Sequence, residues 1–212
     1  MSGCGCNDSV AFDGASARYK RVLWAVVALN LAMFGIEMAG GLAGGSMALR
    51  ADALDFLGDS ATYAISLAVI GQAVAVRSRA ALFKGLSLGV LGLWVLGETV
   101  YRVFVLGQPD AFVMSGIGML ALAANVTSVL LLMRYRDGDA NVRSVWLCSR
   151  NDAIGNVAVV LAGLGVFASG TPWPDLIVAG TMAGLFLTSS AGIVRQALSE
   201  LRTAKATLVA GE

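Results

Sequence analysis

Residues 47–66 read MALRADALDFLGDSATYAIS, and the reading of this stretch decides the fold. Ala48, Asp52, Asp55, Asp59, Thr62 and Ser66 recur in steps of three and four. At about 100° per residue these positions share one narrow stripe of an α-helix. The remaining positions are mostly apolar. Carboxylates at membrane depth are costly, so they face protein or a water-filled cavity rather than lipid. Ser and Thr alone would suit a hydrogen-bonded seam between helices. Three aspartates on the stripe point instead to an ion or proton path.

Composition supports a membrane setting. Of 212 residues, 57% are hydrophobic and only 14% charged. Mean hydropathy is +0.76, and a soluble domain averages about 25% charged residues. The net charge of +1 gives no reason to expect a nucleic-acid partner. Histidine is absent, which removes the commonest metal ligand and proton shuttle. Any site must therefore use Asp, Glu, Cys, Asn, Ser or backbone carbonyls. Cys4 and Cys6 lie close together near the start and Cys148 lies far along the chain, so no disulfide framework is expected. The start of the chain is polar and carries no sign of a cleavable signal peptide.

A span needs roughly 20 apolar residues. Six candidates run over about 21–43, 47–76, 80–106, 110–133, 142–168 and 173–198. Turn chemistry separates them, at Gly44-Gly45-Ser46, Arg77-Ser78-Arg79, Gly107-Gln108-Pro109, Arg136-Asp137-Gly138-Asp139 and Gly170-Thr171-Pro172. The short connections predict that consecutive helices are antiparallel neighbours. The fold class expected is an all-α membrane protein with six transmembrane helices. Lys and Arg mark one side: Arg18, Lys20 and Arg21, then Arg77, Arg79 and Lys84, then Arg134, Arg136 and Arg143, then Arg195, Arg202 and Lys205. Both termini are therefore expected in the cytoplasm. Residues 1–20 form a flexible N-terminal segment in this reading, 21–200 the membrane domain and 201–212 a short cytoplasmic tail. The tail is too short for a folded domain.

The fifth span repeats the logic of the second. Ser144, Cys148, Asp152 and Asn156 recur every four residues. Antiparallel docking of the two helices places Asp55 near Asp152 and Asp59 near Cys148. Four ligands at two depths suit a tetrahedral ion. Without a cation such a cluster should bind protons, because burial and like charge both disfavour ionised carboxylates. Metal binding would release them, which is the physical basis for exchanging metal against protons. A thiolate at Cys148 would favour Zn, Cd or a similarly soft ion over Mg or Mn; a lone membrane Cys also serves as a small packing residue. Asn30, Glu37, Asp52, Asn125 and Asn156 are candidates for supporting roles around the transport site. Glu98 and Arg102, four apart, read as a structural ion pair. Cys4-x-Cys6 could capture a soft cation or be two incidental exposed thiols. Gly85-x-x-x-Gly89 and Gly180-x-x-x-Gly184 permit close helix contact, within the chain or between copies.

These residues resemble the cation diffusion facilitator family. The resemblance is carried by Gly40-Gly41, Gly45-Ser46-Met47-Ala48-Leu49, Ala51-Asp52-Ala53 and the Asp55/Asp59 pair. In the fifth span it is carried by Leu147-Cys148 and Asp152-Ala153-Ile154-Gly155-Asn156. It covers the six-helix region and is strongest over 40–66 and 148–163. It implies a homodimeric, proton-coupled exporter of divalent transition metals, with Asp55, Asp59, Cys148 and Asp152 as the metal ligands. Three departures stand out. Cys148 replaces the usual His or Asp, a cytosolic C-terminal domain is missing, and so is a His-rich loop between helices four and five. Dimerisation would then rest on the membrane helices.

The expected function is export of Zn, with Cd or Co as further substrates, by alternating access in the inner membrane of a bacterium. No resident cofactor is expected; metal, protons and the lipid bilayer are the partners. Two rival readings are an intramembrane aspartyl protease, which also needs two aspartates on separate helices, and a small organic-cation exporter. The first has no use for paired ligands on each helix. The second favours an aromatic-lined cavity, whereas aromatics are 8% of the chain and are not clustered at the acids.

Overall fold

Six α-helices account for nearly all of the described chain. The computed structural model describes residues 16–68, 74–105, 107–137 and 140–210. Among them lie α1 (Ala17–Ala43), α2 (Met47–Ala68), α3 (Val74–Phe104), α4 (Ala111–Leu132), α5 (Ala140–Ser169) and α6 (Trp173–Ala210), with a 3-10 turn at Met133–Tyr135. The described residues contain no strand.

Five helices are long and apolar enough to cross a membrane. The exception is α2, whose 22 residues include Arg50, Asp52, Asp55 and Asp59. Its length of about 33 Å still matches a hydrocarbon core. It is tolerated because it is enclosed by protein: every residue from Met47 to Leu54 is buried.

Two of the expected boundaries move. Arg77-Ser78-Arg79 is helical, inside the start of α3 rather than at a break. The helix that ends the chain continues to Ala210 instead of stopping near residue 198. Helix starts have clear causes. The Ser16 hydroxyl accepts from the Tyr19 N–H at 3.2 Å to cap α1. Asp110 accepts from Phe112 and Val113 N–H at 2.9 and 3.1 Å to cap α4. The turn into α2 uses Gly45 at φ +67, a left-handed conformation that glycine adopts without strain.

The start of α2 is capped from another helix. Asp175, in the first turn of α6, accepts from the Ser46 hydroxyl at 2.6 Å and from the Met47 and Ala48 N–H groups at 2.8 and 2.9 Å. A carboxylate there also complements the positive end of the helix dipole. One end of α2 is thereby fixed to α6.

Consecutive helices are not all neighbours. α1 packs on α2 and α4 on α5, but α3 packs mainly on α6 and forms no packed pair with α4. Glycine explains the preference. A Cβ at Gly85 would stand 2.9 Å from Val194 Cγ2, and one at Gly89 2.7 Å from Ser190 Oγ. The absence of side chains lets the two backbones approach closely, and Ser190 donates across the gap to the Gly85 carbonyl at 2.7 Å. Gly85-x-x-x-Gly89 thus serves packing within the chain. A Cβ at Gly180 or Gly184 would meet nothing within 4 Å among the described residues.

Around α1, α2, α4 and α5 the core falls into layers. Tyr19, Leu23, Val26, Val27, Tyr63, Leu132 and Val145 pack together at one end. Ala48, Leu49, Met114, Val159, Ala162 and Val166 pack together at the other. The aspartates of α2 lie between these apolar layers in the sequence of the helix.

Candidate metal site

α2 and α5 cross antiparallel, and their contacts climb one helix as they descend the other. Asn156 Nδ2 donates to Asp52 Oδ2 at 2.5 Å. A turn along α2, Asp55 meets Asp152. Asp59 also meets Asp152, and of the acids Asp59 and then Asp55 bear most on the Cys148 thiol. At the next turn the Tyr63 hydroxyl lies 3.4 Å from the Val145 carbonyl and 3.3 Å from Ser149 Oγ. Each step of about four along α2 is met by a step of about four back along α5. The spacing of the two acidic stripes therefore becomes one register.

Within that register Asp152 is the centre. The sequence pairs it with Asp55 alone, whereas the structure sets it against both Asp55 and Asp59. Asp55, Asp59, Cys148 and Asp152 are all partly buried. Among the described residues no three acid or thiol side chains converge tightly enough to form a ready-made metal cage. The carboxyls instead face each other across the helix pair. Carboxylates in that arrangement demand a proton or a cation between them.

Two neighbours tune these acids, and the sequence reading did not single them out for the site. Tyr63 donates to Asp59 Oδ2 at 2.5 Å, fixing one oxygen of that carboxyl. Its signal was present, since Tyr63 lies four residues after Asp59 on the same face. Lys84 read only as a marker of the cytoplasmic side. It donates to the Thr62 carbonyl at 2.9 Å, and its positive charge acts on Cys148 and Asp59.

The supporting candidates divide. Asn125 Nδ2 donates to Asn156 Oδ1 at 2.7 Å, so Asn125, Asn156 and Asp52 form one buried chain linking α4, α5 and α2. Glu37 of α1 is fully buried against Asp52. Asn30 is buried, and its Oδ1 has no partner among the described residues. Cys4 and Cys6 lie outside the described residues, as does the side chain of Ser144.

The expected ion pair within α3 is replaced by one between helices. Glu98 pairs with Arg50 of α2 at 3.4 Å, not with Arg102. Arg50 is nearly buried, and its guanidinium also stacks 5.5 Å from the Trp94 ring centre. A buried cation needs a counter-charge more than an exposed one does, so Arg50 takes the carboxylate. Arg102 acts instead on Asp175.

Paired acids on two packed antiparallel helices, inside an all-helical membrane domain, define the class: an integral membrane protein with acidic side chains held between its helices. Residues 23–202 match the cation efflux transmembrane domain, and the chain belongs to that family. Members of the family are transporters, not enzymes, and the protease reading falls. The metal cation efflux system protein CzcD of Cupriavidus metallidurans is 27% identical over 180 residues, which is 79% of this chain and 57% of the relative. The zinc transporter ZitB of Escherichia coli is 25% identical over 179 residues, 78% of this chain and 57% of the relative. The cadmium, cobalt and zinc/H(+)-K(+) antiporter of Bacillus velezensis is 23% identical over 201 residues, 88% of this chain and 64% of the relative. The chain thus spans less than two thirds of each of these relatives.

Proposed function

We propose that the chain exports a divalent transition-metal cation in exchange for protons, with Asp55, Asp59, Cys148 and Asp152 as its transport ligands. The observation that carries this reading is the position of Asp152, set against Asp55 and Asp59 together. Three carboxyls and a thiol, shared between two helices, offer a cation a set of anionic donors at two depths. The same carboxyls exchange that cation for protons, because metal and proton compete for the same oxygens. Zinc is the leading substrate, with cadmium and cobalt beside it. Relatives named for all three metals support this range, and a thiolate donor favours soft or borderline ions.

Export proceeds by alternating access, with the polar layer exposed to each side in turn. The protein acts as a homodimer through its membrane helices, in the inner membrane of a bacterium; the relatives are bacterial. In proteoliposomes, Asp59→Ala and Asp152→Ala are expected to abolish metal-for-proton exchange while the purified proteins stay folded. Full transport by both variants would remove these residues from the site.

A further inference from the structure

Among the described residues Glu37 is a buried acid without a hydrogen-bond donor. It is 0% exposed, and neither carboxyl oxygen accepts a hydrogen bond from any described group. An ionised carboxylate with no donor at membrane depth carries a desolvation penalty that nothing offsets. Its polar neighbour is another acid: the Glu37 side chain lies against Asp52, itself 2% exposed. Two ionised carboxylates are acceptors only, so neither can donate to the other. A hydrogen bond between them exists only if one carries a proton.

The surroundings decide which one. α1 packs against α2 and α4. α4 carries no charged residue; the charged groups of α2 that act on Glu37 are Asp52 and Asp55, while Arg50, whose stem packs against Gly41 one turn along α1, turns its guanidinium to Glu98. No cation therefore neutralises Glu37 from either helix. Asp52 has an amide donor, Asn156 Nδ2 at 2.5 Å, and Asn156 is in turn held by Asn125 at 2.7 Å. That chain of donors ends on Asp52 and favours it as the anion. Glu37, without a donor, is the partner that keeps the proton.

We propose that Glu37 keeps one proton and directs it at the Asp52 carboxylate as a hydrogen-bond donor, forming a proton site distinct from the four transport ligands. No hydrogen bond joins Glu37 to any of those ligands. Asp55 is one turn of α2 beyond Asp52, so a divalent charge arriving among the ligands acts on the pair through space and favours loss of its proton. The pair would then carry part of the coupling while the ligands carry the metal. This step rests on the exchange reading given above.

The test is calorimetric titration of the purified full chain with Zn²⁺, in buffers of different ionisation enthalpy, which counts protons released per metal. Glu37→Gln keeps the shape and supplies a permanent neutral donor to Asp52. It is expected to bind Zn²⁺ with wild-type stoichiometry and to release about one proton fewer. Unchanged proton release by Glu37→Gln, with wild type and variant both folded, overturns the proposal. So does a folded variant that no longer binds Zn²⁺, because Glu37 would then belong to the metal site. If Glu37→Gln does not fold, infrared difference spectra of the wild type decide. A protonated-carboxyl C=O band that is lost on adding Zn²⁺ and is shifted in frequency by Asp52→Asn supports the pair; a band unaffected by Asp52→Asn, or absent from it because Asp52 itself carries the proton, overturns it. Failure of the exchange reading looks different: the wild type would release no protons, or Asp59→Ala would bind Zn²⁺ normally.

Discussion

The α2–α5 crossing and the α3–α6 pair solve opposite problems with the same secondary structure. α3 and α6 join through absence, where Gly85 and Gly89 leave room for Ser190 and Val194. α2 and α5 join through polar side chains, from Asp52 with Asn156 to Tyr63 beside Ser149. Close packing holds the first pair in one arrangement, because a well-packed interface resists displacement. Charged groups hold the second only while protons or a cation balance them. On the proposed exchange, the α3–α6 pair is the scaffold and the α2–α5 crossing the part whose stability depends on what is bound. Asp175 ties the two together at the start of α2.

The sharpest way to break this contrast is at Asp152. Asp152→Ala removes the acid that meets both α2 aspartates. It is expected to eliminate transport but not folding, and thermal unfolding of the purified variant checks the second half. At the scaffold the outcome inverts. Gly89→Leu forces a branched side chain toward Ser190, and overpacking of this kind costs about 1–3 kcal/mol. A lowered Tm with unchanged Zn²⁺ stoichiometry in the folded fraction is expected. Loss of metal binding by a fully stable Gly89→Leu protein would show that the pair is not merely a scaffold.

A smaller effect is expected at Tyr63. Tyr63→Phe preserves the ring in its apolar layer and deletes only the hydroxyl that holds Asp59. If Asp59 is a ligand as proposed, partners that orient a metal ligand are worth about 10- to 100-fold in affinity, and the lower end applies here because Asp59 has another neighbour in Asp152. Zn²⁺ titration measures the change. Wild-type affinity would remove Tyr63 from the site.

What was legible in the sequence follows the range of each interaction. The stripes on α2 and α5 could be read because helical periodicity is local, and their register followed once the helices were set antiparallel. Asn125 and Asn156 could be named as polar residues at membrane depth, but their bond to each other joins two helices and was not legible. Interactions between distant segments were not. Asp175 lies 127 to 129 residues from the groups it caps, and nothing near it in sequence announces them. Local reasoning paired Glu98 with Arg102, four residues on, whereas Arg50 reaches it from another helix. Short loops suggested that α3 would lie beside α4, but the glycine face of α3 sends it to α6. Spacing alone could not show that Lys84 bears on Asp59 and Cys148.

The two glycine motifs make the finest comparison, because the same substitution can be placed in each. Gly89→Ala adds a Cβ 2.7 Å from Ser190 Oγ, closer than ordinary contact. Ser190 must shift, and its bond to the Gly85 carbonyl shifts with it. Gly180→Ala adds a Cβ to open space, where alanine is favoured over glycine within a helix by about 0.5–1 kcal/mol. Tm is therefore expected to fall for Gly89→Ala and to hold or rise slightly for Gly180→Ala. Equal losses from the two substitutions would contradict the distinction. Among the described residues nothing meets a Cβ at Gly180, so a loss there would mean that another copy does, and the motif would belong to a contact between copies rather than to the lipid-facing surface.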